Sequence, residues 1–309
     1  MDMQVIINQM AVLFILIAVG FIISKANVLT REGNKTLSKV VLFITLPCTI
    51  LSSVFENEMA VTVWDTVYFL IMTMLTFIIA FLIAIPVIYV LGREKANRGL
   101  LTFMSVFSNC GFMGFPVVIS ILGASSAYYM ALFNIIFNAL VFSLGILMIP
   151  SKKEPGEAIF NPKQLINPTL IVALIAVPMA LFGFRPPFII AEAVRITGSI
   201  TTPGAMLVIG STLAFVPLKS VFEEWRIVPV TLLKLIAVPI VTWLILRQII
   251  TSELQLGVLV VVSAMPTAAM SSMLAIEYGG DERVASAGVF LTTLLCGITI
   301  PMIVYFFLM

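Results

Sequence analysis

The chain is built as a succession of apolar stretches, each about 20 residues long and set off by short polar turns, and no other pattern in it narrows the fold so far. The lipid core offers no water to free N–H and C=O groups, so such stretches must close their own backbone hydrogen bonds as helices. Ten spans are predicted: Gln4–Ser24, Thr36–Phe55, Trp64–Leu91, Leu100–Leu122, Ser126–Ile149, Pro168–Gly183, Phe188–Phe215, Ile227–Ile250, Gln255–Ile276 and Val284–Leu308. Only 10% of residues are charged and 61% are hydrophobic, with a mean hydropathy of +1.17. A soluble domain carries about 25% charged residues, so this is an all-α polytopic membrane protein. The first stretch lacks a basic leader and exceeds the apolar core of a signal peptide, about 7–15 residues, and is expected to stay as a span.

Two of the spans carry signals that interrupt a helix. In the fourth, Asn109-Cys110-Gly111-Phe112-Met113-Gly114-Phe115-Pro116 places two glycines, a proline and a polar amide at membrane depth. In the ninth, Ser263, Pro266, Thr267, Ser271 and Ser272 do the same near the centre. Proline lacks an amide and crowds the carbonyl four residues earlier, and freed backbone groups are tolerated in a membrane only where they line a cavity. A pair of interrupted helices at corresponding places in two halves points to a secondary transporter's substrate site.

The halves are readable. Residues 1–150 hold five spans, 151–167 form a hydrophilic linker, and 168–309 hold five more. An odd number of spans per half makes any repeat inverted. Ile44-Thr45-Leu46-Pro47 matches Ile200-Thr201-Thr202-Pro203, Leu82 to Ile88 matches Leu235 to Val241, and Pro116 matches Pro266, in order along the chain. Thirteen basic residues fall in alternate loops on one side, which the positive-inside rule makes cytoplasmic and which sends both termini to the other face.

Chemistry is constrained from both directions. There is no histidine, which excludes Ser-His and Cys-His dyads and histidine-ligated metals, and no enzyme is expected. No basic patch with interleaved aromatics suggests nucleic acid. The cysteines Cys48, Cys110 and Cys296 all lie in spans and are expected to be free thiols. Helices restarting after Pro116 and Pro266 would expose the amides of Val117 and Thr267, and two facing N-termini together offer about one elementary charge of positive potential. A carboxylate would be held there, with Asn109, Ser263 and Thr267 adding hydrogen bonds and Gly111 loosening the backbone. Lys234, inside the eighth span, either draws an anion into the cavity or snorkels to the surface. Asn134 and Asn138 share a helix face, as helix-to-helix contacts or as a polar wall. Glu277 is either a solvated helix end or a cavity group for a cation or proton. Glu192 and Arg195, three apart, form an ion pair or a gate.

These residues resemble the auxin efflux carrier family across essentially the whole chain: Asn109-x-Gly111-x-x-Gly114-x-Pro116, Met265-Pro266 followed by Ala275-x-Glu277-Tyr278-Gly279, Lys234-Leu235 to Pro239, and Thr299-x-Pro301. The resemblance implies two inverted five-helix repeats, as in bile acid symporters and sodium/proton antiporters, with a crossover of broken helices four and nine. It also implies elevator-type alternating access, a homodimer, and a substrate carboxylate held by Asn109, Pro116 and Pro266. The short linker argues against the regulatory loop of plant members and for a bacterial inner (plasma) membrane protein. The expected function is secondary transport of small organic anions such as malate, malonate or auxin-like acids, without cofactor or metal, the coupling ion being a proton, sodium or neither. The rivals are a sodium- or proton-coupled cation exchanger and a membrane ligand sensor.

Overall fold

The structure is a computed structural model that describes residues 3–55, 61–91, 95–149, 168–217, 221, 223–278 and 280–308. Among these the protein is entirely helical: α1 (Met3–Lys25), α2 (Arg31–Phe55), α3 (Val63–Leu91), α4 (Lys95–Val106), α5 (Cys110–Leu122), α6 (Ser126–Met148), α7 (Pro168–Leu181), α8 (Phe188–Ala214), α9 (Ile227–Leu246), α10 (Glu253–Ser263), α11 (Met270–Tyr278) and α12 (Glu282–Leu308). Seven of them, α1, α2, α3, α6, α8, α9 and α12, are long and apolar enough to cross a membrane, and α5, α7 and α10 are shorter apolar helices. Large apolar side chains stand exposed along their outer faces, among them Ile15 and Ile22 on α1, Leu82 on α3 and Ile298 on α12. Water would not tolerate such faces at this density, and hydrocarbon does. The chain is therefore a multi-pass membrane protein. The linker, including Lys152, Lys153 and Lys163, and the acidic Glu56 and Glu58 lie outside the described residues.

Three of the helix prolines are accommodated in the same way. Three segments widen to five-residue hydrogen-bond spacing, Val41–Thr45, Cys110–Gly114 and Leu233–Ala237, and each ends two residues before a proline: Pro47, Pro116 and Pro239. The carbonyl that a proline ring would strike belongs to the residue four earlier, here Phe43, Phe112 and Leu235, each in the middle of a widened turn. The π turn moves that carbonyl aside, and the helix continues through the proline. A fourth such turn, Val141–Gly145, has no proline behind it. Gly145 lies against the Phe103 ring, so close that a Cβ there would come within 2.8 Å of it.

Contacts group the chain into two units, each drawn from both halves of the sequence. The first comprises 1–71, 110–136 and 166–215; the second comprises 72–109, 137–165 and 216–309. Within the first, α1 packs along the second half of α8 through small residues: a Cβ on Gly20 would lie 2.5 Å from the Leu207 carbonyl oxygen, and one on Gly210 would overlap that of Ile17. With no hydrophobic drive between helices in lipid, close backbone approach and polar contacts hold them together. Ser24 donates to Ser211 across the same seam at 2.6 Å, both buried. Within the second, Phe107 is ringed by Phe77, Phe81, Phe103 and Phe137, with ring centroids 4.7–6.0 Å apart. Met104, Ile227, Ala275 and Val284 continue that core.

Gly210→Val should therefore cost about 2 kcal/mol or more through overpacking. Gly111→Ala, where a Cβ would meet only a Leu42 methyl at 3.7 Å, should be neutral or slightly stabilising. Thermal unfolding of the detergent-purified variants separates the two outcomes, and equal melting temperatures would contradict the packing argument.

Candidate functional site

Helix α4 stops at Val106 and α5 starts at Cys110; α10 stops at Ser263 and α11 starts at Met270. Both interruptions fall in or border the second unit, where Phe107 to Asn109 and Pro266 to Ala268 run antiparallel as a single β-bridge between Ser108 and Thr267. The Asn109 amide donates to Pro266 O at 2.8 Å and the Ala268 amide to Phe107 O at 2.9 Å. Ser108 and Thr267 thus form the non-hydrogen-bonded pair, the arrangement that brings facing side chains closest. The helix ends are closed too. Met104 O accepts from the Thr267 hydroxyl at 2.7 Å, and Phe103 O accepts from the Phe107 amide. On the other side Val260 O and Val262 O accept from the amides of Ala264 and Met265, and the Thr267 amide reaches the Thr292 hydroxyl at 3.2 Å.

This geometry corrects the expected position of the first interruption. Pro116 does not break the helix, because the π turn at Cys110–Gly114 absorbs it. The break lies several residues earlier, the restarted helix begins at Cys110, and Val117 is buried inside a continuous helix. In the ninth predicted span the break surrounds Pro266 as expected, but the amides of Thr267 and Ala268 are already bonded, and in the restarted helix from Met270 the Ser271 amide bonds Ala268 O.

Lys234 sits in the widened turn of α9 with no exposed surface. It does not snorkel. Its side-chain nitrogen donates to Ser108 Oγ at 2.6 Å and to Val106 O at 3.2 Å, at the C-terminal end of α4, where a helix dipole favours a cation. One residue beyond Ser108, Asn109 is 5% exposed. Ser263 is buried and gives its proton to Val260 O of its own helix at 2.7 Å.

The remaining candidates scatter. Asn134 and Asn138 are both buried on α6, and Asn134 donates to the Cys110 sulfur at 3.6 Å. The side chain of Glu277 lies outside the described residues. All three cysteines are free. Glu192 and Arg195 form a bidentate pair at 2.6 and 2.7 Å. Pro116 lines a cavity of 190 Å³ built entirely within the first unit. Sequence reasoning missed Ser108 and Thr292; a hydroxyl beside Asn109 was a visible signal for the first, and none existed for the second.

A sequence profile for the family described as “Membrane transport protein” matches residues 5–304, and the chain belongs to that family, the auxin efflux carrier family that its motifs resemble. It is 27% identical over 289 residues to an “Uncharacterized transporter” of Methanothermobacter thermautotrophicus, covering 93% of this chain and 94% of the relative. It is 26% identical over 299 residues to another “Uncharacterized transporter”, from Methanocaldococcus jannaschii, covering 91% and 92%. A Rhizobium meliloti protein named “Putative malonate transporter” is 26% identical over 238 residues, 74% of this chain and 73% of that one.

Removing the Thr267 hydroxyl in Thr267→Val should cost about 0.6–1.7 kcal/mol, the range for hydrogen bonds inside membranes. Ser108→Ala leaves the Lys234 ammonium short of an acceptor and should cost more, about 1–3 kcal/mol. Combined with Lys234→Met it should add little further, because the pair acts as a unit. Strict additivity in a thermal-unfolding cycle would show that the two are uncoupled.

Proposed function

We propose that this membrane transport protein is a secondary active transporter of small organic anions, with the substrate carboxylate held beside the paired interruptions of α4/α5 and α10/α11. One observation carries the reading: a buried lysine, Lys234, bonds the hydroxyl of Ser108, whose neighbour along the chain is the buried Asn109. A positive charge at low dielectric favours an anion and penalises a cation. The first-turn amides of α11 add partial positive charge next to the bridge. Asn109 and these amides touch the carboxylate, Lys234 supplies field and holds Ser108, and Ser263, Pro266 and Thr267 shape the wall.

The crossover seen this way fits a fold of two inverted five-helix repeats working by elevator-type alternating access, as a homodimer in a bacterial plasma membrane with both termini outside. The relative named for malonate supports acids of that size. The same electrostatics weigh against a cation exchanger at this site, and the family weighs against catalysis.

Uptake of labelled malonate, malate and indole-3-acetate into proteoliposomes, under separately imposed pH, sodium and voltage gradients, tests the reading. Saturable uptake of an acid, reduced at least tenfold in an Asn109→Ala protein of wild-type thermal stability, is the expected result. Wild-type uptake by Asn109→Ala would move the site away from the bridge, and no uptake of any acid by folded protein would sink the carrier reading.

A further inference from the structure

The cavity in the first unit has two unlike walls. One is apolar, from Phe115, Pro116 and Ile119 of α5; the other carries hydroxyls from α2 and α8, with Arg195 beside them. Four of these hydroxyls are not free donors. Thr49 gives its proton to Gly198 O at 2.9 Å, so in the 2.8 Å contact between Thr49 and Thr201 it is Thr201 that donates. Ser53 donates to Ile50 O at 2.7 Å and Ser199 to Ile196 O at 2.7 Å. Four hydroxyl groups thus spend their protons on neighbours, and what they offer to an occupant is oxygen acceptors. An unsubstituted carboxylate would find repulsion there. A ligand hydroxyl would find a partner.

The donor for a carboxylate is Arg195, half exposed and already gripping Glu192 with a bidentate fork. That fork is the geometry a guanidinium offers to any carboxylate, and an ion pair this exposed is weakly held. The backbone is drawn tight behind it: at Gly198 a Cβ would lie 3.0 Å from the Thr49 amide nitrogen, so α2 and α8 meet too closely for the wall to widen. The volume of 190 Å³ has room for an aliphatic acid of three or four carbons.

From this we infer that the cavity is a second anion site, selective for small hydroxy acids, in which the acid's carboxylate replaces Glu192 on Arg195 and its hydroxyl donates to the wall formed by Thr49, Ser53 and Thr201. The inference rests on the reading of the protein as an organic-anion carrier and gives that carrier a substrate class. It assigns Arg195 as a binding residue and Glu192 as an internal competitor that vacates the guanidinium when the acid arrives.

The test compares acids that differ only by a hydroxyl, lactate with propionate and malate with succinate. Each is measured for protection of Arg195 against phenylglyoxal in the full detergent-purified chain, read by mass spectrometry of the modified peptide, and for competition in proteoliposome uptake. Lactate and malate should protect at concentrations about two- to tenfold lower than propionate and succinate, the range one hydrogen bond supplies. Thr201→Val should erase that preference. Arg195→Gln should raise the half-saturating concentration for uptake at least tenfold with the maximal rate within twofold, and Glu192→Gln should lower it several-fold. Equal protection by the hydroxylated and plain acids, or protection by none, overturns the inference. Protection without uptake keeps the site and removes the carrier reading, and uptake without protection does the reverse.

Discussion

A helix interrupted inside a membrane leaves amides and carbonyls that the lipid cannot satisfy, and this protein meets the problem by pairing one interruption with the other. The bridge between Ser108 and Thr267 and its two flanking amide bonds do for a few residues what a sheet does for many. Everything around it follows from closing that circuit. The Thr267 hydroxyl takes Met104 O, Thr292 takes the Thr267 amide, and Lys234 takes Val106 O. A buried ammonium is costly when its hydrogen bonds are unmet. Here it is placed against the negative end of a helix whose carbonyls need donors, so two liabilities offset each other.

The span pattern was legible because length and apolarity are local properties, and the described helices overlap the expected stretches, with several running past their ends, as α2 does from Arg31 and α4 from Lys95. The neighbourhood of both interruptions was legible as well, from glycine, proline and hydroxyl residues at membrane depth. The position of the first was misread for a physical reason. A proline removes the same amide and crowds the same carbonyl whether the helix breaks or widens into a π turn, and only the packing around Cys110–Gly114 decides between them. Pro47 and Pro239 carry the same ambiguity and resolve the same way.

Lys234 shows the other limit. Eight residues into a span, a lysine is equally consistent with reaching outward or turning inward, and the deciding acceptors, Val106 O and Ser108 Oγ, are more than 120 residues away in sequence. The hydroxyl wall of the first unit was invisible for a similar reason. Thr201 stands in a repeated proline segment and Thr49 carries no such mark, and which of them keeps a proton depends on where Gly198 O lies.

The bridge also sets an order of events during synthesis. Met104 O waits for a hydroxyl 163 residues further along the chain, an interval of roughly 8–30 seconds at ordinary translation speeds. Throughout that time the end of α4 sits in or near the bilayer with its carbonyls unmet. The first five helices therefore cannot reach their final form alone. The nascent chain must be sheltered by the insertion machinery, or keep this segment at the water interface, until α10 and α11 arrive. The same contact that shapes the site thus makes the early half of the protein dependent on the late half for its own stability.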